Sequence, residues 1–82
     1  MFMRHGTKGV VIGKRDWGEF DRVLTVYTEE FGKISLFCKS IRKESSKLRS
    51  GSEPFSVAEI EFIEGRSRRT LTDVRVIESY PV

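Results

Sequence analysis

The sequence predicts an all-β domain, a five-stranded antiparallel Greek-key barrel with little or no helix. Its 82 residues leave room for one domain with one modest core. Five runs of β-branched, aromatic or alternating apolar residues have the pattern of strands. A long stretch without such a pattern, residues 40–54, is polar and falls between the third and fourth runs. Five strands with one long connection after the third are typical of a small closed or partly open barrel.

The first three strands follow one another closely. The first is expected at residues 7–14, where a β-branched run lies between glycines. The second, residues 22–28, mixes Val, Leu, Thr and Tyr and therefore favours strand over helix. The third, residues 33–39, alternates polar and apolar residues directly after Gly32, which can adopt the positive φ of a turn. The second and third strands are therefore predicted to form a hairpin.

The last two strands flank a polar turn. The fourth, residues 55–63, alternates most strictly, with apolar residues on one face and glutamates on the other. These are Ala58, Ile60 and Phe62 against Glu59 and Glu61. The fifth strand is expected at residues 69–78. The oligonucleotide-binding (OB) barrel has this strand count and connection, but an SH3-like barrel is similar in size, and periodicity does not separate the two.

Composition limits the cellular environment. With 38% hydrophobic and 33% charged residues, the chain should fold and be exposed to water. No apolar run approaches the roughly twenty residues that a membrane span needs, so no membrane association is expected. One cysteine, Cys38, can form neither an internal disulfide nor a thiolate metal cage. A reducing cytoplasm is therefore the expected compartment.

The residues give no support to catalysis. His5, the only histidine, is interpreted as a solvated residue near a terminus, without a ligand partner at suitable spacing. Cys38 has the inward phase of its strand, and Glu59 and Glu61 have the pattern of a solvated strand face. The sequence contains no glycine-rich phosphate loop, nucleophile motif or metal cluster. We therefore expect neither enzyme activity nor a cofactor.

Cationic residues are concentrated in a few segments of the chain, although the net charge is only +3. Residues 39–49 contain five cations and one anion, with little apolar material to bury, which is typical of a surface that binds phosphate. Single lysines are usually only solubilising, but this cluster almost lacks internal salt-bridge partners. The turn between strands four and five adds further cations, and the first loop adds one. The candidate phosphate contacts are Lys39, Arg42, Lys43, Lys47, Arg49, Arg66, Arg68, Arg69 and Arg15.

Bases additionally need flat side chains on which to stack. Phe37 has the phase opposite to the core residues of its strand, as an exposed stacking aromatic would. Trp17, in the first loop, could face a base or could plug the end of the barrel. Tyr27 is a weaker candidate, on a face with Val23 and Thr25.

Acidic residues in the first loop argue against nucleic-acid binding at that loop. Asp16, Glu19 and Asp21 argue against DNA passing close to the loop unless Arg22 neutralises one of them.

Several motifs follow one another in a specific order along the chain. Residues 21–35 open with an acid-Arg-apolar-apolar-Thr run and lead through the Gly32-Lys33 turn to the basic cluster Lys39, Arg42 and Lys43. After them come Glu53-Pro54-Phe55-Ser56 and a closing strand through Leu71, Val76 and Ile77. In this order and spacing the motifs resemble the N-terminal domain of the bacterial recombination mediator RecO, and the resemblance covers essentially the whole chain.

This resemblance implies that residues 1–82 form a single OB-fold domain that binds single- and double-stranded DNA. Such a domain would assist annealing and recombinase loading in DNA repair, with RecR and the single-stranded-DNA-binding protein as partners. Members normally continue into a helical domain, often with a zinc site, which these residues do not include. We therefore expect one domain of a longer protein, a monomer, in the cytoplasm at the nucleoid.

Two other functions remain open. The basic patch could instead receive an acidic tail or surface of a partner protein, which would make the domain a docking module. The barrel could also only orient another domain, although this would leave the basic cluster unexplained.

Overall fold

Five strands form the described part of the molecule. The computed structural model describes residues 3–39 and 55–79, and within these ranges it contains no helix. The strands are β1 (Met3–Trp17), β2 (Asp21–Thr28), β3 (Gly32–Cys38), β4 (Ser56–Glu64) and β5 (Arg69–Ser79). All five predicted strands are confirmed, although β1 is much longer than expected. It is long because its first half pairs with β4 and its second half with β2.

The strands close into a barrel in the order β1-β2-β3-β5-β4. All pairings are antiparallel except that of β3 with β5, which is parallel and is recorded at Phe37 and Thr70. Because the chain crosses over to place β5 between β3 and β4, the order is that of a Greek key rather than a meander. The predicted all-β, OB-like barrel is therefore confirmed. The expectation of little or no helix between β3 and β4 concerns residues 40–54, which lie outside the described residues.

The core follows from strand alternation, which turns every second side chain inward. Its buried members are Val11, Leu24, Val26, Ile34, Leu36, Cys38, Ala58, Ile60, Phe62 and Leu71. Cys38 is fully buried, as its phase predicts. Burial raises the pKa of its thiol to about 12, although the nearby Arg22 guanidinium lowers it in part. The thiol therefore stays protonated at neutral pH and is a packing group rather than a nucleophile.

His5 corrects one expectation. Instead of lying in solvent, it pairs in register with Phe62, and its side chain is only 20% exposed. Its ring centroid lies 5.1 Å from that of Phe31 and 5.2 Å from that of Phe62. The interpretation failed because β1 begins at Met3, so that a residue near the terminus belongs to the sheet.

Two glycines determine local geometry. Gly32 has φ of +66° in the β2–β3 turn, as predicted. That turn is held by Thr28, whose hydroxyl donates to the Gly32 carbonyl at 2.8 Å and accepts from the Phe31 amide at 2.9 Å. At Gly9 a Cβ would lie 2.8 Å from Val26 Cγ1, so the absence of a side chain lets β1 approach β2 closely.

Candidate nucleic-acid interface

An open groove lies on the outer face of β2 and β3. Arg15, Val23 and Phe37 are directly opposite one another in register, so their side chains form one row on the outside of β1, β2 and β3. A cavity of about 710 Å³ opens over this row. The loop of residues 65–68 forms its other wall and is closed by a 3.0 Å hydrogen bond from the Gly65 amide to the Arg68 carbonyl. The barrel thus brings three strands and the β4–β5 loop to one site.

The groove is strongly cationic. Five cations line it, Arg15, Lys33, Arg66, Arg68 and Arg69, with one carboxylate, Glu64. Five more of the chain's 15 cations belong to residues 39–49, again with one carboxylate. Ten of the 12 acidic residues therefore lie elsewhere in the sequence. The excess of cations over carboxylates gives the groove a positive potential that attracts phosphates.

Arg68 lies over the ring of Phe37. Its guanidinium carbon is 3.9 Å from the ring centroid, a close cation–π contact. Phe37 therefore points outward, as predicted, but it is half-buried rather than freely exposed. The exposed Arg68 guanidinium is itself planar, so the stacked pair offers a flat, charged surface to a base.

Trp17 is also part of the groove wall and is 55% exposed. It does not plug the barrel, since it lies outside the core. The guanidinium carbon of Arg15 is 5.9 Å from its ring centroid. Nearby, Arg22 Nε donates to Asp16 Oδ1 at 3.1 Å, which confirms that one carboxylate of this region is neutralised locally.

Arg69 is held differently from the other groove cations. Its Nη2 donates to Glu64 Oε2 at 3.2 Å, and Glu64 Oε1 lies 3.1 Å from His5 Nε2. Among the described residues, the buried Nε atom of Arg69 has no hydrogen-bond partner. Because its charge is already paired, Arg69 has less free charge to offer a phosphate than the exposed Arg66 and Arg68.

Comparison with known proteins shows which family the chain belongs to. A family model described as "Recombination protein O N terminal" matches residues 1–80. The chain belongs to this family. The resemblance to the RecO N-terminal domain is thereby confirmed.

Curated RecO relatives are similar over most of this chain. The DNA repair protein RecO of Heliobacterium modesticaldum is 37% identical over 73 residues, which cover 89% of this chain and 27% of that protein. The DNA repair protein RecO of Desulfitobacterium hafniense is 40% identical over 72 residues, 88% of this chain and 26% of the relative. The chain thus spans about a quarter of the length of these relatives.

Within this RecO-family domain, six of the sequence-predicted site residues meet in the groove. They are Arg15, Trp17, Phe37, Arg66, Arg68 and Arg69. Lys39 is exposed directly after β3, whereas Arg42, Lys43, Lys47 and Arg49 lie outside the described residues. Sequence reasoning did not select Lys33 as a groove residue. Its phase, shared with Phe37, was the signal that could have identified it.

The acidic pair on β4 has the ordinary role predicted for it. Glu59 accepts from Arg75, and Glu61 accepts from Arg4 at 3.2 Å, all on the exposed outer face. In the part of the chain that the structure describes, no cluster of three or more His, Cys, Asp or Glu side chains could hold a metal. The same part contains no helix long and apolar enough to cross a membrane.

Proposed function

We propose that this domain is a non-catalytic DNA-binding module of a recombination mediator in DNA repair. The observation that carries the proposal is the groove, which combines five cations with Trp17 and the stacked Arg68–Phe37 pair. The groove lies over β2 and β3, between the β1–β2 hairpin and the β4–β5 loop. OB domains use this face and these loops for oligonucleotides.

Binding should be salt-sensitive and weakly selective. Phosphate contacts carry no sequence information, and every base has a face that can stack. The domain should therefore accept single strands and, mainly through phosphate contacts, duplexes. Three to five phosphate contacts would give a slope of log affinity against log salt of roughly −2 to −4 for single strands.

The direct test is fluorescence anisotropy of a labelled oligothymidine at salt concentrations from about 20 to 200 mM. Trp17 provides a second readout, because it is the only tryptophan of the chain and it lines the groove. We expect anisotropy to rise and tryptophan emission to change with the same midpoint. Absence of binding at the lowest salt would refute the proposal.

The basic segment after β3 is part of the same proposal. Arg42 and Lys43 remain sequence-based candidates for further phosphate contacts. We expect the double change Arg42→Glu and Lys43→Glu to weaken binding without altering the melting temperature. Unchanged affinity at low salt would remove this segment from the site.

Membership of the family supports a proposal for the wider role. We propose that DNA binding here assists annealing and recombinase loading, at the nucleoid in the cytoplasm, together with RecR and the single-stranded-DNA-binding protein. Pull-down of each purified protein by the tagged domain tests the two partners.

A docking function is favoured by one feature of the groove. Its cations surround apolar surface from Val23 and Trp17, which also suits an acidic peptide with an apolar side chain. An acidic peptide that binds with one-to-one stoichiometry, and that oligothymidine fails to displace, would favour docking over DNA binding.

A further inference from the structure

The outer face of β2 and β3 continues beyond the aromatic row of the groove. The next outward pair along these strands is Thr25 and Ser35, and the pair after that is Tyr27 and Lys33. Ser35 and Lys33 both line the groove. The face therefore carries an aromatic ring in its first and third rows, on the same side of the sheet.

The middle row contains only small side chains. Gly13 lies opposite Thr25, and Thr25 lies opposite Ser35. Because Gly13 has no side chain and the other two are short, this row makes a low floor between the two aromatic rows. A flexible polymer could cross it without meeting a bulky group.

Tyr27 is exposed to a degree unusual for an aromatic residue in a barrel strand. At 62% it is the most exposed of the large hydrophobic side chains in the described part of the chain. It lies four strand positions from the row of Phe37, or about 13 Å at the rise of a β-strand. Directly opposite it, the exposed Lys33 adds a cation within reach of the same ligand.

We propose that Tyr27 and Lys33 form a second contact point for an unpaired DNA strand that already contacts the Arg68–Phe37 stack. In this arrangement one base stacks on Tyr27, Lys33 binds a neighbouring phosphate, and the intervening nucleotides cross the floor of Gly13, Thr25 and Ser35. The inference rests on the proposed DNA binding and adds a strand path and a ligand class. The ligand must be unpaired, since duplex bases are stacked on one another and present no free face.

The test separates stacking from charge with three labelled ligands. These are a twelve-residue oligothymidine, a twelve-residue abasic strand with the same phosphates, and a twelve-base-pair duplex, a length of about the size an OB domain covers. Tyr27→Ala should weaken oligothymidine binding roughly tenfold, in line with the loss of one stacked base. Binding of the abasic strand and of the duplex should change by less than about twofold, because neither uses a free base face.

Matched variants isolate the two parts of the contact. Tyr27→Phe keeps the ring and should bind all three ligands as the parent domain does. Lys33→Ala should weaken both single-stranded ligands and reduce the salt slope by about 0.7, as expected for one lost phosphate contact. Ile77→Ala removes an exposed apolar side chain from β5 and should change nothing.

Two results of the binding experiment would overturn the inference while leaving the proposed function intact. One is oligothymidine binding by Tyr27→Ala within twofold of the parent while Arg68→Ala weakens it. The other is a loss that is equal for the oligothymidine and the abasic strand, because the ring would then act without a base. Sedimentation adds a third: if Tyr27→Ala converts a dimer to a monomer with unchanged DNA affinity, the surface is an interface between copies. Failure of the parent domain to bind any ligand would instead refute the DNA-binding function itself.

Discussion

The two outer faces of the barrel use the same kinds of charged residue in different ways. On the outer face of β1, β4 and β5, here called the paired face, Arg4 contacts Glu61 at 3.2 Å and Arg75 contacts Glu59, so that these cations are paired with carboxylates. On the groove face, Arg68 instead lies on an aromatic ring, and the groove lining contains five cations but only one carboxylate. The number of cations therefore does not by itself make a binding site. Their partners decide whether positive charge remains for a ligand.

Both faces depend on the same small core, so a cavity in that core should change the molecule more than any substitution on its surface. Phe62 is fully buried and its ring lies 5.4 Å from that of Phe31. Phe62→Ala should lower the free energy of unfolding by about 3–5 kcal/mol, because it leaves a cavity at a closely packed position. Urea denaturation followed by circular dichroism measures this loss. A loss below about 1 kcal/mol would contradict the placement of Phe62 in the core.

The groove face has a cation, Arg68, that lies on the aromatic ring of Phe37. Phe37→Ala removes the ring under Arg68 and should weaken oligothymidine binding by about 1–3 kcal/mol. Phe37→Tyr, which keeps a flat ring, should retain most of the affinity. If Phe37→Ala binds normally, the guanidinium needs no support and the stacked pair is not a recognition surface.

Beneath the groove face, Cys38 should make stability depend on alkaline pH. Burial raises the pKa of its thiol from 9.0 to about 12, so the unfolded chain ionises first as pH rises. The stabilising contribution is complete below pH 9 and is lost progressively between about pH 9 and pH 12. The quantity to compare is the difference in the free energy of unfolding between the parent and Cys38→Ala, because this difference isolates the contribution of the thiol. If the free energies of unfolding of the parent and of Cys38→Ala change in parallel with pH, the Cys38 thiol does not contribute to the pH dependence.

The smallest effect belongs to the paired face. Arg4 and Glu61 have side chains that are 64% and 48% exposed, so solvent screens their attraction. A double-mutant cycle with Arg4→Ala and Glu61→Ala should give a coupling below about 0.5 kcal/mol by thermal denaturation. A coupling above about 1 kcal/mol would mean that this face is stabilised by its ion pairs.

Local pattern was sufficient to predict the strands and the direction of most side chains. Alternation gave the inward phase of Cys38 and the outward phase of Phe37, because both follow from one strand alone. The cover over Phe37 could not be predicted, because Arg68 reaches it through the parallel β3–β5 contact, and strand order is not visible in sequence. The position of His5 was also not predictable, because its partner Glu64 lies 59 residues away in the chain and the pairing of β1 with β4 is not visible in sequence.

The ion pair between Glu64 and Arg69 could have been predicted from the sequence but was not. Glu64 and Arg69 stand directly opposite each other at the ends of the predicted polar turn. A hairpin across that turn makes them neighbours and suggests their ion pair. The six groove residues, by contrast, come from β1, β3, the β4–β5 loop and the first residue of β5, and only the closed barrel brings them together.

Two charge-matched double variants, compared at low salt, show whether DNA binds at the groove. Arg66→Ala with Arg68→Ala removes two groove cations, and Arg4→Ala with Arg75→Ala removes two cations from the paired face. Because both lower the net charge by the same amount, a difference in oligothymidine affinity reports on position alone. We expect the groove variant to bind roughly thirtyfold more weakly, about 2 kcal/mol, and the other to bind within twofold of the parent. Equal losses in the two variants would mean that DNA responds only to net charge, and the groove would not be the binding site.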